Sequence, residues 1–508
     1  MVYFGPSRGC ETCKKRRKKC DETRPSCLRC LNTNRVCRGY DAHANGNLVF
    51  RQHDQRPPTE QTHALPYNPM ARKCSLPARV PAPGSSILPP DILPKEVPRE
   101  IMEECALRAF FYDFCLVPIN PTLSRGFLSG LEQMVHRLGM QSQVAKACMA
   151  VGYASHGVKL FRPFLVQRAE ELYYEGLRSL AHAINDSHAI NKEETVVMAI
   201  LLGLYEIIMA RDTAPGNHAA HAGGLAALLQ IGNDPLSLLE SVCSRRSLLP
   251  NALRGQGMFS TVCSHARGND LDTLFLRLEP MCRSSEIELS LQDTEQLHIL
   301  LAEASVLDTD IAEWQEAQSD KFKPITIGNI KPNHTTTSRH FSPGVGSWPG
   351  RVDVYFDMYF ATIWNISRTA RCLLLDFIIR LSEILRERKP PEDHARHTQY
   401  LMTQLCDVIA SIPYFLAEDA QAFLRDDTTQ DIANTGRTAG GLLLMHQLYA
   451  LSKLPMVFPE MRVYFNRCLA WIGERMGIGQ ASLFAKDTNI STEYVTSGRV
   501  IIWAALLV

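Results

Sequence analysis

Apolar residues recur at helical spacing through most of the chain from about residue 100 onward. Val196, Val197, Ile200, Leu201 and Leu204 share one helical face, and Leu300, Ala304, Leu307, Ile311 and Trp314 repeat at 4-3-4-3 spacing. Asn191 with Glu194, and Asp293 with Gln296, supply capping pairs ahead of these two runs. The second run covers only two heptads, so it predicts packing inside a fold rather than a coiled-coil seam between chains. A loop is expected over residues 321–350, where Pro, Gly, Ser and Thr gather, and a long helix over 351–388, stopped by Pro390 and Pro391. Val500 to Val508 is an unbroken apolar run that reads as a docked helix or strand. Strand signals are scarce. The pattern therefore predicts a large all-α domain, or two helical subdomains, over residues 100–508. The run at 196–204 is interrupted by Glu206 and falls short of the ~20 apolar residues that cross a bilayer, so it belongs to the core and no membrane partner is expected.

The pattern breaks down ahead of residue 100. Eleven prolines fall within the 42 positions from 57 to 98, with few large apolar residues, a composition that cannot build a core. Residues 41–99 are read as a flexible Pro-rich linker. Prolines at this density exclude sustained heptads, so any homodimer would form through the helical domain.

Residues 6–40 form a third region, organised by cysteine. C-x2-C-x6-C occurs at Cys10, Cys13 and Cys20 and again at Cys27, Cys30 and Cys37, each displaced by 17 residues. Two similar halves around one site point to metal. A structural zinc takes four ligands in a tetrahedron, so two zincs need eight bonds, which six thiolates supply only if two of them bridge. Pseudo-symmetry nominates equivalent cysteines, most simply Cys10 and Cys27. So short a segment buries little, and metal binding, worth roughly 10 to 16 kcal/mol in zinc-finger peptides, must supply its folding energy. A disulfide scaffold is disfavoured because the opening MVYFGPSRG has no apolar signal region.

Charge separates this module from a thiol-rich metal buffer. Lys14, Lys15, Arg16, Arg17, Lys18 and Lys19 run consecutively in the first half, whereas the matching stretch of the second half, Leu31 to Val36, holds a single cation. Residues 10–38 carry ten Lys and Arg against three Asp and Glu, a balance of +7 in a chain whose total is +1. The basicity is local, as an electrostatic footprint for phosphate should be.

The run C-E-T-C-K-K-R-R-K-K-C-D-E-T-R-P-S-C-L-R-C-L-N-T-N-R-V-C resembles the fungal zinc binuclear-cluster transcription factors, including the basic run, the C-D-E after it and Pro25 in the connecting loop. The resemblance implies two Zn(II) ions bridged by Cys10 and Cys27, a small module of two short helices, a first helix that enters the major groove, and readout of CGG-like triplets in double-stranded DNA. By position it makes Arg16 and Arg17 the base readers and leaves the other cations to phosphates. Arg can donate bidentately to guanine O6 and N7, which fits G-readout. Most of residues 100–485 resembles the helical regulatory domain that accompanies such clusters, through H-A-G-G-L-A-A-L-L at 221–229, W-N-I-S-R-T-A-R at 364–371, A-S-I-P-Y-F-L at 410–416 and W-I-G-E-R-M-G-I-G-Q-A at 471–481. The implied protein acts in the nucleus on RNA polymerase II transcription, meets the transcription machinery or co-regulators, and controls a metabolic gene cluster, often one of secondary metabolism. The alternative reading is a zinc-dependent interaction protein whose DNA affinity is only nonspecific.

Other notable residues read as structure. Cys105, Cys115, Cys148, Cys372 and Cys406 sit among apolar neighbours and are expected to be buried thiols, while Cys74 in the linker is open to oxidation in principle but is read as a passive thiol. His218 and His221 lack a convincing third metal ligand and are assigned to capping or core packing. Arg368 and Arg371, beside Trp364, are assigned to salt bridges rather than to an acidic effector. Gly255, Gly257 and Ser260 lack the strand and third glycine of a nucleotide loop. No nucleophile, base and oxyanion constellation appears, so no catalysis is expected.

Overall fold

The computed structural model describes residues 10–37, 98–228, 294–331, 343–385, 391–425, 430–486 and 490–506, apart from positions 17, 22, 24, 25, 34, 122 and 191, together with five residues between 271 and 278. The chain divides into two compact units, parting between Pro90 and Asp91.

In the first unit two short helices, α1 (Glu11–Lys15) and α2 (Leu28–Leu31), each start directly after a cysteine. Cys27 caps α2, its sulfur accepting from the Cys30 amide. Among the described residues the interior here consists of cysteines, with Cys10, Cys13, Cys27 and Cys30 almost fully buried.

The second unit is helical. Its elements in chain order are α3 (Arg99–Phe114), α4 (Leu131–Leu138), α5 (Gln143–Lys159), α6 (Pro163–Asn185), α7 (Glu193–Met209), α8 (His218–Leu228), α9 (Thr294–Glu316), β1 (Ile325–Ile330), β2 (Gly350–Val354), α10 (Met358–Ile384), α11 (Pro391–Leu416), α12 (Ala420–Arg425), α13 (Thr438–Ser452), α14 (Pro459–Met476), α15 (Gly479–Ala485) and α16 (Thr492–Ala505). Caps are legible where the residue type allows them. Ser142, Asp357 and Ser491 accept from the amides of Ala145, Phe360 and Tyr494 and start α5, α10 and α16. Gly477, at φ 72°, ends α14 in the left-handed conformation.

Two helices are buried nearly all round and organise the rest. α7 is surrounded by α5, α6, α8, α15 and α16, and α10 by α9, α11 and α13. The run at 196–204 lies in α7, and Val500 to Ala505 belongs to α16, with Leu506 as its C-cap, all of them buried, so that stretch is a docked helix. Leu300, Ala304, Leu307, Ile311 and Trp314 are all buried on α9, which packs against α10, as internal packing requires. Among the described residues, no helix is long and apolar enough to cross a membrane.

Several expectations are corrected. The segment 321–350 is not simply a loop, and the helix expected from 351 starts later. β1 and β2 pair antiparallel, from Ile325 opposite Val354 to Ile330 opposite Gly350, with an irregularity between Thr326 and Gly328. The alternation Val352-Asp353-Val354 suits a strand, and Asp357 delays the helix to Met358. Helix α7 is preceded by Lys192 without a side-chain cap, Glu193 and Glu194 lying in its first turn, while Asn191 and Asp293 are outside the described residues. Cys115, Cys148 and Cys372 are buried, but Cys105 and Cys406 are exposed because they lie on the outer faces of α3 and α11. Pro25, Cys74, Pro390, Gly255, Gly257 and Ser260 fall outside the described residues.

Arg371 on α10 pairs with Asp308 on α9 (Nε to Oδ1 2.8 Å) and donates to Gln315 Oε1 at 3.0 Å. Arg368 is buried, donates to the Tyr355 hydroxyl at 2.6 Å and lies over the Trp364 ring. Both arginines are thus spent inside the helical unit. His218 and His221 are buried too. His218 Nε2 lies 2.8 Å from the Tyr494 carbonyl, tying α8 to α16, and His221 Nε2 lies 3.4 Å from the Tyr173 hydroxyl.

Candidate metal centre

The 17-residue repeat returns as geometry. Cys10 precedes α1 as Cys27 precedes α2, and Cys13 and Cys30 lie one turn into their helices. The Cys13 amide donates to Cys10 Sγ at 3.4 Å and the Cys30 amide to Cys27 Sγ at 3.3 Å. The Cys10 amide donates to Cys20 Sγ at 3.4 Å and the Cys27 amide to Cys37 Sγ at 3.5 Å. Each half therefore presents three sulfurs, with backbone N–H groups oriented on them in the same way in both halves. Such contacts orient metal ligands and offset thiolate charge.

Contacts between the halves repeat as well. Thr12 Oγ1 donates to the Val36 carbonyl at 3.1 Å, and Arg29 Nη1 donates to the Lys19 carbonyl at 2.9 Å. Thr12 and Arg29 are equivalent positions of the repeat, and so are Lys19 and Val36. Neither Thr12 nor Arg29 is conspicuous in the sequence as a positioning residue. The signal that could have found them is the same 17-residue offset, applied to the residues between the cysteines.

The sulfurs fall into two overlapping groups of four, Cys10, Cys13, Cys20 and Cys27, and Cys10, Cys27, Cys30 and Cys37, each with all its sulfurs within 4.8 Å of one another. Cys10 and Cys27 belong to both. Cys10 Sγ lies 3.6 Å from Cys27 Sγ and 3.9 Å from Cys30 Sγ, and Cys13 Sγ lies 3.7 Å from Cys27 Sγ. A tetrahedral zinc with Zn–S of ~2.3 Å places its sulfurs ~3.8 Å apart, so the donor set fits two such ions. Burial among the other sulfurs pushes the Cys13, Cys27 and Cys30 thiols up to about 12 when no cation is present. Packed thiols of this kind become ligands only when a metal displaces their protons.

The basic run leaves this centre from α1. Lys15 lies in α1, Arg16 continues its turn by donating its amide N–H to the Thr12 carbonyl (3.3 Å), and Lys18 and Lys19 follow beyond the helix. Lys15, Arg16, Lys18 and Lys19 are exposed, while Arg17 and the side chain of Lys14 lie outside the described residues. The helix is shorter than the basic run, because Cys20 must turn back to the metal centre.

Residues 8–46 match the family description "Fungal Zn(2)-Cys(6) binuclear cluster domain". The chain is 46% identical over 427 residues to Transcription factor dbaG of Emericella nidulans, a match that covers 83% of this chain and all of that one. The chain belongs to the fungal zinc binuclear-cluster transcription factors. Its cofactor is a pair of zinc ions, and its large second unit is the helical part of a transcription regulator. Shorter likenesses join this family member to others. Transcriptional regulatory protein moc3 of Schizosaccharomyces pombe is 66% identical over 32 residues, 6% of each chain. The Aspercryptin biosynthesis cluster-specific transcription regulator atnN of Emericella nidulans is 48% identical over 56 residues, 11% of this chain and 8% of that one. No solved structure matches this family member.

Proposed function

We propose that this transcription factor acts in the nucleus as a sequence-specific reader of CGG-like triplets and regulates a biosynthetic gene cluster, of the secondary-metabolite kind. Cys10 and Cys27 bridge the two zincs. Cys13 and Cys20 complete one tetrahedron, and Cys30 and Cys37 the other. The clamped α1 carries the basic run to double-stranded DNA, where Arg16 and Arg17 read guanine edges and Lys14, Lys15, Lys18 and Lys19 hold phosphates. Residues 6–40 are the DNA-binding domain, 41–99 the linker and 100–508 the regulatory domain, through which homodimerisation and contacts to the transcription machinery would run. The observation that carries this reading is the sharing of Cys10 and Cys27 by two sulfur tetrads directly beside exposed Lys15, Arg16, Lys18 and Lys19. The pathway assignment rests on the likeness to atnN, a cluster-specific regulator.

The test is selection of full-length, zinc-loaded protein against randomised duplex DNA, with Cys27→Ala as the unclamped control. Enrichment of CGG-like triplets that disappears in the control supports the reading. Tight binding without triplet preference would instead make the module an interaction device with nonspecific DNA affinity.

A further inference from the structure

Helix α5 ends in a Schellman motif. The Arg162 amide donates to the Gly157 carbonyl at 2.9 Å and the Phe161 amide to the Val158 carbonyl at 3.3 Å. The residue between the two helices, Phe161, takes φ 52°, a left-handed conformation that glycine adopts freely and a bulky side chain does not. Leu128, at φ 49°, is the other non-glycine residue with positive φ among those described, and it is fully buried with its amide bonded to the Ala505 carbonyl at 2.9 Å. Packing repays the strain at Leu128. Phe161 is 87% exposed, so nothing among the described residues packs over it to repay it. Along the chain on either side, Leu160 and Phe164 are 58% and 57% exposed.

Phe161 borders a cleft of about 560 Å³ between the α5–α6 connection, the end of α7 and the α14–α15 segment, with Val166, Ile208 and Leu483 in its apolar wall. Its charged groups are Arg162, Arg211, Lys486 and Asp212. Asp212 is already paired with Lys486, while neither exposed guanidinium, of Arg162 or Arg211, has a carboxylate partner among the described residues. The cleft is thus apolar inside and positive at its edge.

We propose that this cleft docks an acidic, apolar segment of a partner protein. Bulky side chains of the segment enter the cleft and pack on Phe161, and its carboxylates meet Arg162 and Arg211. Strain without internal repayment is a recurring property of recognition sites, where the partner supplies the missing contacts. A second copy meeting this cleft cleft-to-cleft is disfavoured, because a two-fold axis through it would bring the Arg162 and Arg211 charges of both copies together. Apolar side chains left standing open to solvent suit a chain laid across the cleft better than a small molecule enclosed by it.

The test uses full-length, zinc-loaded protein and a fluorescein-labelled peptide that alternates Asp and Glu with Leu and Phe. Fluorescence anisotropy should show saturable binding, weakened about tenfold when Asn and Gln replace the acids. The double variant Arg162→Glu, Arg211→Glu should not bind. Phe161→Gly should bind about tenfold more weakly, yet melt at the same temperature or up to about 3 °C higher, since glycine suits the left-handed position. Loss of affinity without loss of stability separates a docking residue from a structural one. No binding, equal binding of the amide peptide, or variants that bind normally would each overturn the proposal. So would a lower melting temperature for Phe161→Gly, or wild-type dimers in sedimentation that Phe161→Gly converts to monomers.

Discussion

Cys10 and Cys27 each belong to both sulfur tetrads, so replacing either removes a ligand from two metals, whereas replacing Cys37 removes one from a single metal. Cys27→Ala should therefore lose most bound zinc and all triplet preference, and Cys37→Ala should keep the larger share. Metal analysis of the two purified variants measures the difference, and equal losses would contradict the bridging assignment. In the helical unit the sensitive residues are buried histidines. Burial lowers the protonation of His218 and His221 below the ordinary value of 6.5 and that of His446 well below it, with the Arg499 charge adding to the effect at His446. A group whose folded pKa lies below its unfolded one stabilises the fold above the unfolded pKa and loses that contribution as pH falls. The melting temperature should thus drop between about pH 7.5 and about pH 5.5, and His446→Gln, though less stable at the upper pH, should show a smaller drop. Gly498 supplies the space these groups need. A Cβ there would lie 2.9 Å from Gln480 Nε2 and 3.0 Å from His446 Nε2, so Gly498→Ala should cost about 1 to 3 kcal/mol in urea unfolding.

Helices α9 and α10 show how much of an element is legible in sequence. The 4-3-4-3 spacing of Leu300 to Trp314 marked the buried stripe of α9 because packing alone chose those positions. It carried no information about Asp308, which lies between two stripe residues and holds Arg371 through contacts of 2.8 and 3.3 Å. Asp308→Ala leaves a buried guanidinium with Gln315 as its remaining side-chain hydrogen-bond partner among the described residues, and should cost about 3 kcal/mol. The double variant Asp308→Leu, Arg371→Leu should cost less than Asp308→Ala, since the buried charge leaves with its partner. Denaturant titration distinguishes these outcomes, and an unaffected Asp308→Ala would show the pair to be idle. Strand β2 is illegible for the opposite reason: its five residues are too short to outweigh the long apolar run that follows, although Asp357 is a readable helix start. The metal centre was the most legible part. Covalent spacing fixes which sulfurs can meet, whereas Thr12 and Arg29 join the halves through backbone carbonyls that leave no residue-type signature.

The whole molecule combines two kinds of core. The first unit is held by cysteines and the second by packed aliphatic and aromatic side chains. Charge is divided along the same line, since residues 10–38 carry +7 of a chain that totals +1. If the module neutralises about five phosphates, the logarithm of its DNA affinity should fall against the logarithm of salt concentration with a slope of about −4 to −5. Chelation should then separate the units. A zinc-bound segment of this size has no other source of folding energy, so EDTA should abolish DNA binding and release two equivalents of zinc. The helical unit has its own buried interior around α7 and α10, and among its described residues no group of three or more potential metal ligands comes together. Its far-ultraviolet circular dichroism and melting temperature should therefore change little under the same treatment, and restoring zinc should restore DNA binding without a refolding step for the rest of the chain. Loss of the helical melting transition on chelation would show instead that the second unit depends on the first for its stability.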